Sequence, residues 1–403
     1  MKTLVVVLGL LLTHALAQIE LEFQHSMNGP LGEAVTFMVD KYNEEKAGEV
    51  VVNETFVGSY EEGLQGALAQ LAAGENPDIL QLEVAMVARV AESGALMNWK
   101  PLFEGDYAVN FEDFFPVFRD QISRADGNIY AIPFNNSNPV LYYNVDMLEQ
   151  AGVQPPKTYT ELPEIAAKIK EAFPDVVPIY FDAFPWVLEG AVWSNGGEMV
   201  GEEGLRMNEP EAVEVIQLWT DVIRAGNAAP VTQTAQEDFA AGKVAMAFGS
   251  VASRFFIERA VGDNFAWQAA PLPYFDEPQV PVGGANLMIF DNIAEEKKQA
   301  AIDFLVWITQ PEQQFDWIRL TNYVPVNQKA PELPAFAEYL TSKPDLGIGI
   351  EQLPFSRPRP SRIGYPQATP EIVASLERIW LQNADVQTEL DDLVARTARF
   401  FRE

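Results

Sequence analysis

The sequence predicts an α/β fold in two lobes, with a ligand cleft between them. Strand-like and helical segments alternate from residue 19 onward, which favours a largely parallel sheet covered by helices. The same alternation resumes after residue 137. At 403 residues the chain also exceeds the roughly 250–300 residues that one hydrophobic core usually serves, so two domains are expected.

The first lobe opens with a run of alternating strands and helices. Residues 59–62 (SYEE) have the spacing of a capping box, with Ser59 as the N-cap and Glu62 three positions later. Gly74 is a natural end for the helix that follows. The predicted elements are, in order, a strand at 19–23, a helix near 31–42, a strand at 50–57, a helix from residue 60, a strand at 78–82 and a helix at 84–91.

The rest of the chain repeats this pattern. Helices are predicted near 160–172, 210–224, 251–261 and 294–309 and within 370–402, and strands at 176–181, 244–248, 265–270 and 285–290. Proline and glycine cluster at 271–284 and 354–366, which indicates long loops at crossovers between the lobes. We expect one lobe to comprise residues 18–136 and 284–328, and the other residues 137–283 and 329–403.

The N-terminus predicts export. Lys2 supplies a positive charge, residues 4–12 are apolar, and residues 15–17 (ALA) form a small-residue cleavage site. This apolar run is shorter than the roughly 20 residues needed to span a bilayer. We therefore expect a signal peptide of residues 1–17, cleaved after Ala17, and a periplasmic mature protein.

The composition argues against several classes of protein. The sequence contains no cysteine, which excludes disulfides, thiolate metal sites and cysteine nucleophiles. His25 is the only histidine after the leader, so a catalytic triad or a multi-histidine metal site would depend on this one residue. The formal charge of -31 would repel nucleic acid and anionic lipid. We expect no catalytic residue, no metal, no cofactor and no nucleic-acid partner.

Several segments resemble one known family. They are residues 141–148 (LYYNVDML), 155–159 (PPKTY), 242–246 (GKVAM) and 282–285 (VGGA). In this order they are similar to the extracellular solute-binding proteins of ABC importers, in the branch that contains the maltose-binding protein. The resemblance runs along nearly the whole chain after the leader. It implies a two-lobed periplasmic binding protein fold, a cleft between lobes joined by several hinge crossovers, and a protein that does not transform its ligand.

Within that family the likeness is greatest to members that bind sn-glycerol 3-phosphate. The segments with this likeness are residues 23–27 (FQHSM), 58–61 (GSYE), 79–83 (ILQLE), 133–139 (PFNNSNP), 322–325 (NYVP) and 362–364 (RIG). By position, the resemblance implies a ligand site formed by Tyr60, Glu83, Ser137, Ser250, Gly284, Tyr323 and Arg362.

The chemistry of the implied residues agrees with a phosphate ester. A phosphate dianion needs charge-assisted donors, which the forked guanidinium of Arg362 would supply. Tyr60 falls in the first turn of its predicted helix, where unpaired backbone N–H groups favour an anion. Glu83 would repel phosphate, so we expect it to accept hydrogen bonds from the glycerol hydroxyls. The resemblance weakens over 181–186, and Trp186 is the candidate contact at the glycerol end.

Each implied residue also has a structural alternative. Arg362 could pair with surface carboxylates, and the sequence leaves open whether Arg357 and Arg359 assist it or face solvent. Ser250 could be a simple N-cap, and Tyr323 could pack near a hinge.

The ligand itself has alternatives. A larger glycerophosphodiester such as glycerophosphocholine could occupy the same site, with an aromatic wall facing its cation. A sugar or oligosaccharide is the alternative within transport, for which Arg362 would not matter. A secreted hydrolase is the alternative from another class of protein. The resemblance implies a monomer whose partners are a small phosphate ester and the permease subunits of the importer.

Overall fold

The computed structural model describes residues 18–105, 110–231, 235–362 and 364–402. The predicted leader, with cleavage after Ala17, lies outside the described residues. The strands are β1 (Ile19–His25), β2 (Val50–Phe56), β3 (Ile79–Glu83), β4 (Ile132–Ser137), β5 (Pro139–Asn144), β6 (Val177–Phe181), β7 (Ala229–Pro230), β8 (Val244–Ser250), β9 (Trp267–Ala270), β10 (Val280–Pro281), β11 (Gly283–Ile289) and β12 (Ser356–Arg357).

The helices alternate with these strands along the chain. They are α1 (Gly29–Glu45), α2 (Tyr60–Ala73), α3 (Val87–Ala91), α4 (Lys100–Glu104), α5 (Pro116–Ile122), α6 (Val145–Gln150), α7 (Leu162–Ala172), α8 (Pro185–Ser194), α9 (Pro210–Arg224), α10 (Ala235–Ala240), α11 (Arg254–Val261), α12 (Glu295–Ile308), α13 (Pro311–Thr321), α14 (Pro334–Ser342), α15 (Gly347–Glu351), α16 (Gly364–Leu381) and α17 (Val386–Thr397).

Two five-stranded sheets organise the described residues, one in each lobe. The first has the order β2-β1-β3-β11-β4, with β1 parallel to β2 and β3 and with β11 antiparallel to β3 and β4. The second has the order β7-β6-β8-β5-β9, with β6 parallel to β7 and β8 and with β5 antiparallel to β8 and β9. This arrangement confirms the predicted two-lobed α/β architecture. The prediction of a largely parallel sheet is wrong, because β11 and β5 run antiparallel to both of their neighbours and make each sheet mixed.

The chain passes between the sheets several times. It crosses at residue 138, between β4 and β5, and returns between β9 and β11. After β11, α12 packs on β1 and α13 on α1, whereas α16 and α17 pack on α8 and α9 of the other lobe. These crossings place a cleft between the sheets. The residue boundaries predicted for the two lobes stay a prediction.

Each sheet is covered by apolar side chains. Strand β1 buries Leu21 and Phe23 against helices on its own lobe, where Tyr42 and Trp317 are also fully buried. In the second lobe Phe181 stacks on Trp219 with ring centroids 4.6 Å apart. Burying such large rings is the main stabilising term for each lobe.

Local signals in the sequence determine several helix boundaries. Ser59 Oγ accepts from the Glu62 backbone N–H at 3.2 Å, and the Ser59 N–H donates to Glu62 Oε2 at 2.7 Å, which confirms the predicted capping box. Gly74 ends α2 in the left-handed conformation, with φ of 77°.

Strands β4 and β5 have no counterpart among the predicted strands, and two predicted helices begin at other residues. The helix expected over 84–91 begins only at Val87, because the Val84 N–H donates to the Gly284 carbonyl and the Ala85 N–H donates to Glu83 Oε2. Those bonds hold the chain in a turn after β3. The last helical region begins at Gly364 rather than near residue 370, and it includes Pro370.

Two findings concern the described residues alone. None of their helices is both long and apolar enough to cross a membrane. Within the same part of the chain, no group of three or more histidine, aspartate or glutamate side chains is arranged to hold a metal ion.

Candidate ligand cleft

The cleft is formed where strands of both sheets end. Glu83 and Ser137 are the last residues of β3 and β4, and Ser250 is the last residue of β8. Because β11 runs antiparallel to β3 and β4, its first residues lie beside their ends, and Gly283 stands opposite Ser137. Ligands of open α/β sheets bind at such strand ends. Sequence positions far apart are therefore brought to one place.

The two glycines at the start of β11 allow a very close approach of other groups. Gly284 has φ of 87°, and a Cβ there would lie 1.9 Å from the carbonyl oxygen of Asn135. A Cβ on Gly283 would lie 2.5 Å from the ring of Trp186, whose Nε1–H donates to the Val282 carbonyl at 3.3 Å. The sequence therefore needs glycine at both positions, and Trp186 lies directly on this strand.

Two tyrosines meet at a buried asparagine. Asn135 Nδ2 donates to the Tyr60 hydroxyl oxygen at 3.2 Å, and Gln81 Nε2 donates to Asn135 Oδ1 at 2.8 Å. Burial raises the pKa of Tyr60 well above its ordinary value, and the neighbouring Tyr323 raises it further. Burial likewise raises the pKa of Tyr323, against an opposing hydrogen bond with Asn135. Both phenols therefore stay protonated at neutral pH and are available as hydrogen-bond donors.

The arginine in the cleft is Arg359. Its side chain is 4% exposed and lies between Glu83 of the first lobe and Glu189 of the second. Nη1 donates to Glu83 Oε1 at 2.7 Å, while Nε and Nη2 donate to Glu189 at 2.9 Å each. The hydroxyl of Tyr365 also donates to Glu189, at 2.6 Å. Glu83 and Arg359 thus form a buried ion pair between the lobes.

The charges of this cluster shift the pKa of its members. Burial would lower the pKa of Arg359, but the charges of Glu189 and Glu83 outweigh it, so that the pKa lies well above its ordinary value. Burial raises the pKa of Glu83, and the nearby charge of Arg359 opposes that rise. The guanidinium therefore stays charged. Nε, Nη1 and Nη2 all donate to carboxylates, and the guanidinium also forms a hydrogen bond with the side chain of Tyr365.

One residue of the predicted set, Arg362, lies apart from the others, and Ser250 at the end of β8 also has a capping role. Arg362 is exposed, and its Nη2 donates to the backbone carbonyl of Glu202 at 2.8 Å. It lines a separate cavity together with Arg124, and no described member of the cleft lies against it. Ser250 caps a short turn, because its Oγ accepts from the Ala252 N–H at 3.2 Å.

The remaining residues of the predicted set lie around the cleft. Tyr60 and Tyr323 meet at Asn135, Ser137 lies beside Gly283, and Glu83 ends the strand next to Gly284. The predicted ligand set as a whole stays a prediction.

Sequence reasoning left the role of Arg359 open and missed Glu189 and Asn135 as members of the cleft. Glu189 is fully buried in α8, and it is the only charged residue of a helix that is otherwise apolar or neutral. A lone carboxylate in such a helix is a signal for a buried partner. Asn135 lies in the segment 133–139, from which the predicted ligand set contains only Ser137.

Comparison with known proteins places the chain among transport proteins. A model of the bacterial extracellular solute-binding protein family matches residues 38–344. The sn-glycerol-3-phosphate-binding periplasmic protein UgpB of Yersinia enterocolitica is 30% identical over 95% of this chain and 92% of its own length. The protein of the same name from Salmonella typhimurium is 29% identical over 96% of this chain and 94% of its own length.

Solved structures give the same picture. UgpB of Mycobacterium tuberculosis, in complex with glycerophosphocholine, superimposes with a TM-score of 0.87 at 26% identity, covering 94% of this chain and 98% of that one. A cyclic maltosyl-maltose-binding protein of Arthrobacter globiformis superimposes with a TM-score of 0.82 at 23% identity, covering 95% and 99% of the two chains, which shows the shared fold. The two-lobed periplasmic binding protein fold is thereby confirmed.

Proposed function

The chain belongs to the bacterial extracellular solute-binding proteins and is the solute-binding component of an ABC importer, and from this premise we propose that its ligand is a glycerol phosphate ester. The first candidate is sn-glycerol 3-phosphate, and glycerophosphodiesters are the second. In this proposal the signal peptide is cleaved after Ala17, and the mature protein is a periplasmic monomer. It closes on the ester and delivers it unchanged to the membrane permease.

The observation that carries the proposal is the buried guanidinium of Arg359 between Glu83 and Glu189. Its side chain is held by ion pairs from both lobes and by a hydrogen bond with the side chain of Tyr365, so the guanidinium has a fixed position in the cleft. A forked cation held rigidly in a dry cleft suits a phosphate oxygen pair better than a flexible lysine would. The hydroxyls of Tyr60 and Tyr323 supply neutral donors nearby.

Glu83 gives the ligand a direction. A carboxylate repels phosphate but accepts hydrogen bonds from hydroxyl groups. The glycerol part of the ligand would therefore lie at Glu83, with the phosphate turned toward the tyrosine donors and the guanidinium of Arg359. Trp186, which lies on Gly283, would pack on the carbon chain of the glycerol.

The charge balance favours the diester as a second candidate. Arg359 already faces two carboxylates, Glu83 and Glu189, so the three ionised groups together carry one negative charge. A diester has one negative charge where a phosphate monoester has up to two, and glycerophosphocholine also has a cation. Phe184, which is 39% exposed beside Arg359, adds an aromatic surface of the kind that binds such cations. The related mycobacterial protein was solved with this ligand.

The ligand class is tested by titration calorimetry of the mature protein. We expect sn-glycerol 3-phosphate and glycerophosphocholine to bind, and maltose to show no binding. The order of the two esters measures how strongly the local negative charge disfavours a dianion. Binding of maltose without either ester would overturn the proposal in favour of a sugar. Release of phosphate or choline during the titration would contradict a pure binding function.

The role of Arg359 is tested by a matched pair of variants. Arg359→Lys keeps the charge but loses the fork, so the affinity for the bound ester should fall by roughly tenfold or more. Arg362→Lys is the comparison variant, measured with the diester glycerophosphocholine, which is not a dianion; because Arg362 lies outside the cleft, the affinity for this ester should be unchanged. If Arg362→Lys instead weakens the ester and Arg359→Lys does not, the position implied by sequence resemblance is correct and the assignment of Arg359 is wrong.

A further inference from the structure

We propose that a second cavity between the lobes binds a tetrahedral dianion such as inorganic phosphate, independently of the ligand cleft. The cavity has a volume of about 630 Å³. One wall is formed by residues 84–92 and the end of α5, and the other by residues 361–362 and the C-terminal residues 400–402. None of Tyr60, Glu83, Ser137, Tyr323 and Arg359 lines it.

The charge of this cavity is opposite to that of the protein. Its lining includes Arg124, Arg362 and Arg402 but a single acidic side chain, Glu92. Glu92 is already paired with Arg89, whose Nη1 lies 2.7 Å from its Oε2. Across the whole sequence, by contrast, 58 acidic residues outnumber 27 basic ones. Three arginines around one cavity therefore make a local positive potential in a protein that otherwise repels anions.

These arginines have no close carboxylate partner in the part of the chain that the structure describes. None of Arg124, Arg362 and Arg402 forms an ion pair within 4.0 Å there, and Arg124 interacts only at longer range with the exposed carboxylate of Asp126. Arg362 uses one N–H on the Glu202 carbonyl, and Arg124 lies over the ring of Tyr130 at 6.0 Å. Most of their N–H donors are thus available to a bound oxyanion, to which guanidinium groups bind in pairs.

A buried amide adds an independent sign of a polar ligand. Gln121 is 8% exposed and lines the cavity, and its Nε2 is buried without a hydrogen-bond partner among the described residues. The orientation of the amide is fixed, because its Oε1 accepts from the Arg359 backbone N–H at 3.1 Å. Nε2 is therefore a donor, as the arginines are. A buried donor without an acceptor is costly, and an oxyanion in the cavity would satisfy it.

Water could also satisfy one amide in an open cavity. Water would not, however, account for three arginines without carboxylates, because a neutral molecule does not offset their mutual repulsion. An anion satisfies the donors and the charge together. The hydroxyls of Ser123 and Ser361, which line the same cavity, can complete the shell of a tetrahedral oxyanion.

The test is calorimetry with inorganic phosphate at low ionic strength, with four proteins: the wild type, the double variant Arg124→Ala with Arg362→Ala, the cleft variant Tyr323→Phe and the control Arg399→Ala. Arg399 lies on the same C-terminal segment, exposed and stacked on Phe400 at 4.8 Å, but it does not line the cavity. The variant Arg399→Ala removes one positive charge near the cavity without changing its lining. Circular dichroism and thermal unfolding establish that every variant is folded.

The wild type, Tyr323→Phe and Arg399→Ala should bind phosphate with similar affinity, whereas the double variant should bind it at least about tenfold more weakly. Added salt should weaken binding to all of them. The proposal would be overturned by no phosphate binding to the wild type, by equal binding to the double variant, or by a loss in Tyr323→Phe alone, which would mean that phosphate occupies the cleft. An equal loss in Arg399→Ala would also overturn it, because the attraction would then be a general effect of charge.

Discussion

Two arginines three positions apart in one loop have opposite environments. Arg359 is buried between Glu83 and Glu189 and connects the two lobes. Arg362 is exposed, donates to one backbone carbonyl and faces a cavity with two other arginines. The charge of Arg359 is balanced by two carboxylates of the protein itself, whereas the charge of Arg362 is available to a ligand. One basic loop therefore contributes an arginine to the ligand cleft and another to the second cavity.

The difference also bears on stability. A buried ion pair returns little net energy, but the removal of one partner leaves an uncompensated charge in a dry site. An exposed cation with water beside it has no such cost. Changes around Arg359 should therefore affect folding, and changes around Arg362 should affect only the binding of anions.

The largest effect is expected from Glu189→Ala. The carboxylate of Glu189 is fully buried and accepts from Nε and Nη2 of Arg359 and from the Tyr365 hydroxyl. Without this carboxylate, the buried guanidinium of Arg359 keeps only Glu83 as a counter-ion, and the Tyr365 hydroxyl loses its acceptor. The free energy of unfolding should fall by about 3–5 kcal/mol, measured by urea denaturation.

The matched control for this variant is Glu198→Ala. Glu198 pairs with Arg357 of the same loop at 2.8 Å, but both side chains are about 40% exposed. Its removal should cost less than about 1 kcal/mol. Equal losses in the two variants would contradict the contrast between the buried and the exposed arginines.

The pH dependence of Glu83→Gln sharpens the comparison. Burial, opposed by Arg359, raises the pKa of Glu83 above its ordinary value of 4.5. An acid whose pKa is raised by folding stabilises the folded state below its unfolded pKa, and this stabilisation is lost as the pH rises through the folded pKa. Glutamine cannot ionise, and Arg359 keeps Glu189 as a counter-ion in the variant.

The stability of Glu83→Gln relative to the wild type should therefore increase as the pH rises from 4.5, by at most about 1.4 kcal/mol per pH unit. Urea denaturation of both proteins at several pH values between acid and neutral measures this slope. A difference that stays constant with pH would show that the pKa of Glu83 does not change on folding.

Local signals in the sequence predicted much of the fold. The capping box at Ser59 and the stop at Gly74 involve residues within one helix, so their spacing alone determines the outcome. Apolar patterning predicted β1, β2, β3, β6, β8, β9 and β11 for the same reason, whereas β4 and β5 were not predicted. The helix expected at 84–91 was shortened by bonds from Gly284 and Glu83, of which the first comes from a strand 200 residues later.

The choice between Arg359 and Arg362 could not be made from the sequence. Both stand in one basic segment, and prolines at 358 and 360 fix the backbone around Arg359 without showing what it faces. The partner that holds Arg359 is Glu189, 170 positions away. Such a pairing depends on how two lobes meet, which no local pattern encodes. The signal in the sequence was Glu189 itself, a single charged residue in the otherwise apolar or neutral segment that forms α8.

The smallest effect is expected from Arg362→Ala. Its guanidinium is exposed and makes one hydrogen bond, to the Glu202 carbonyl, which water can replace. The free energy of unfolding should change by less than about 0.5 kcal/mol, measured by urea denaturation beside the wild type. Because nearby like charges repel, removing one of three arginines from the cavity could even raise stability at low salt. A loss above about 1 kcal/mol would mean that Arg362 has a buried counter-ion after all, and the contrast with Arg359 would fail.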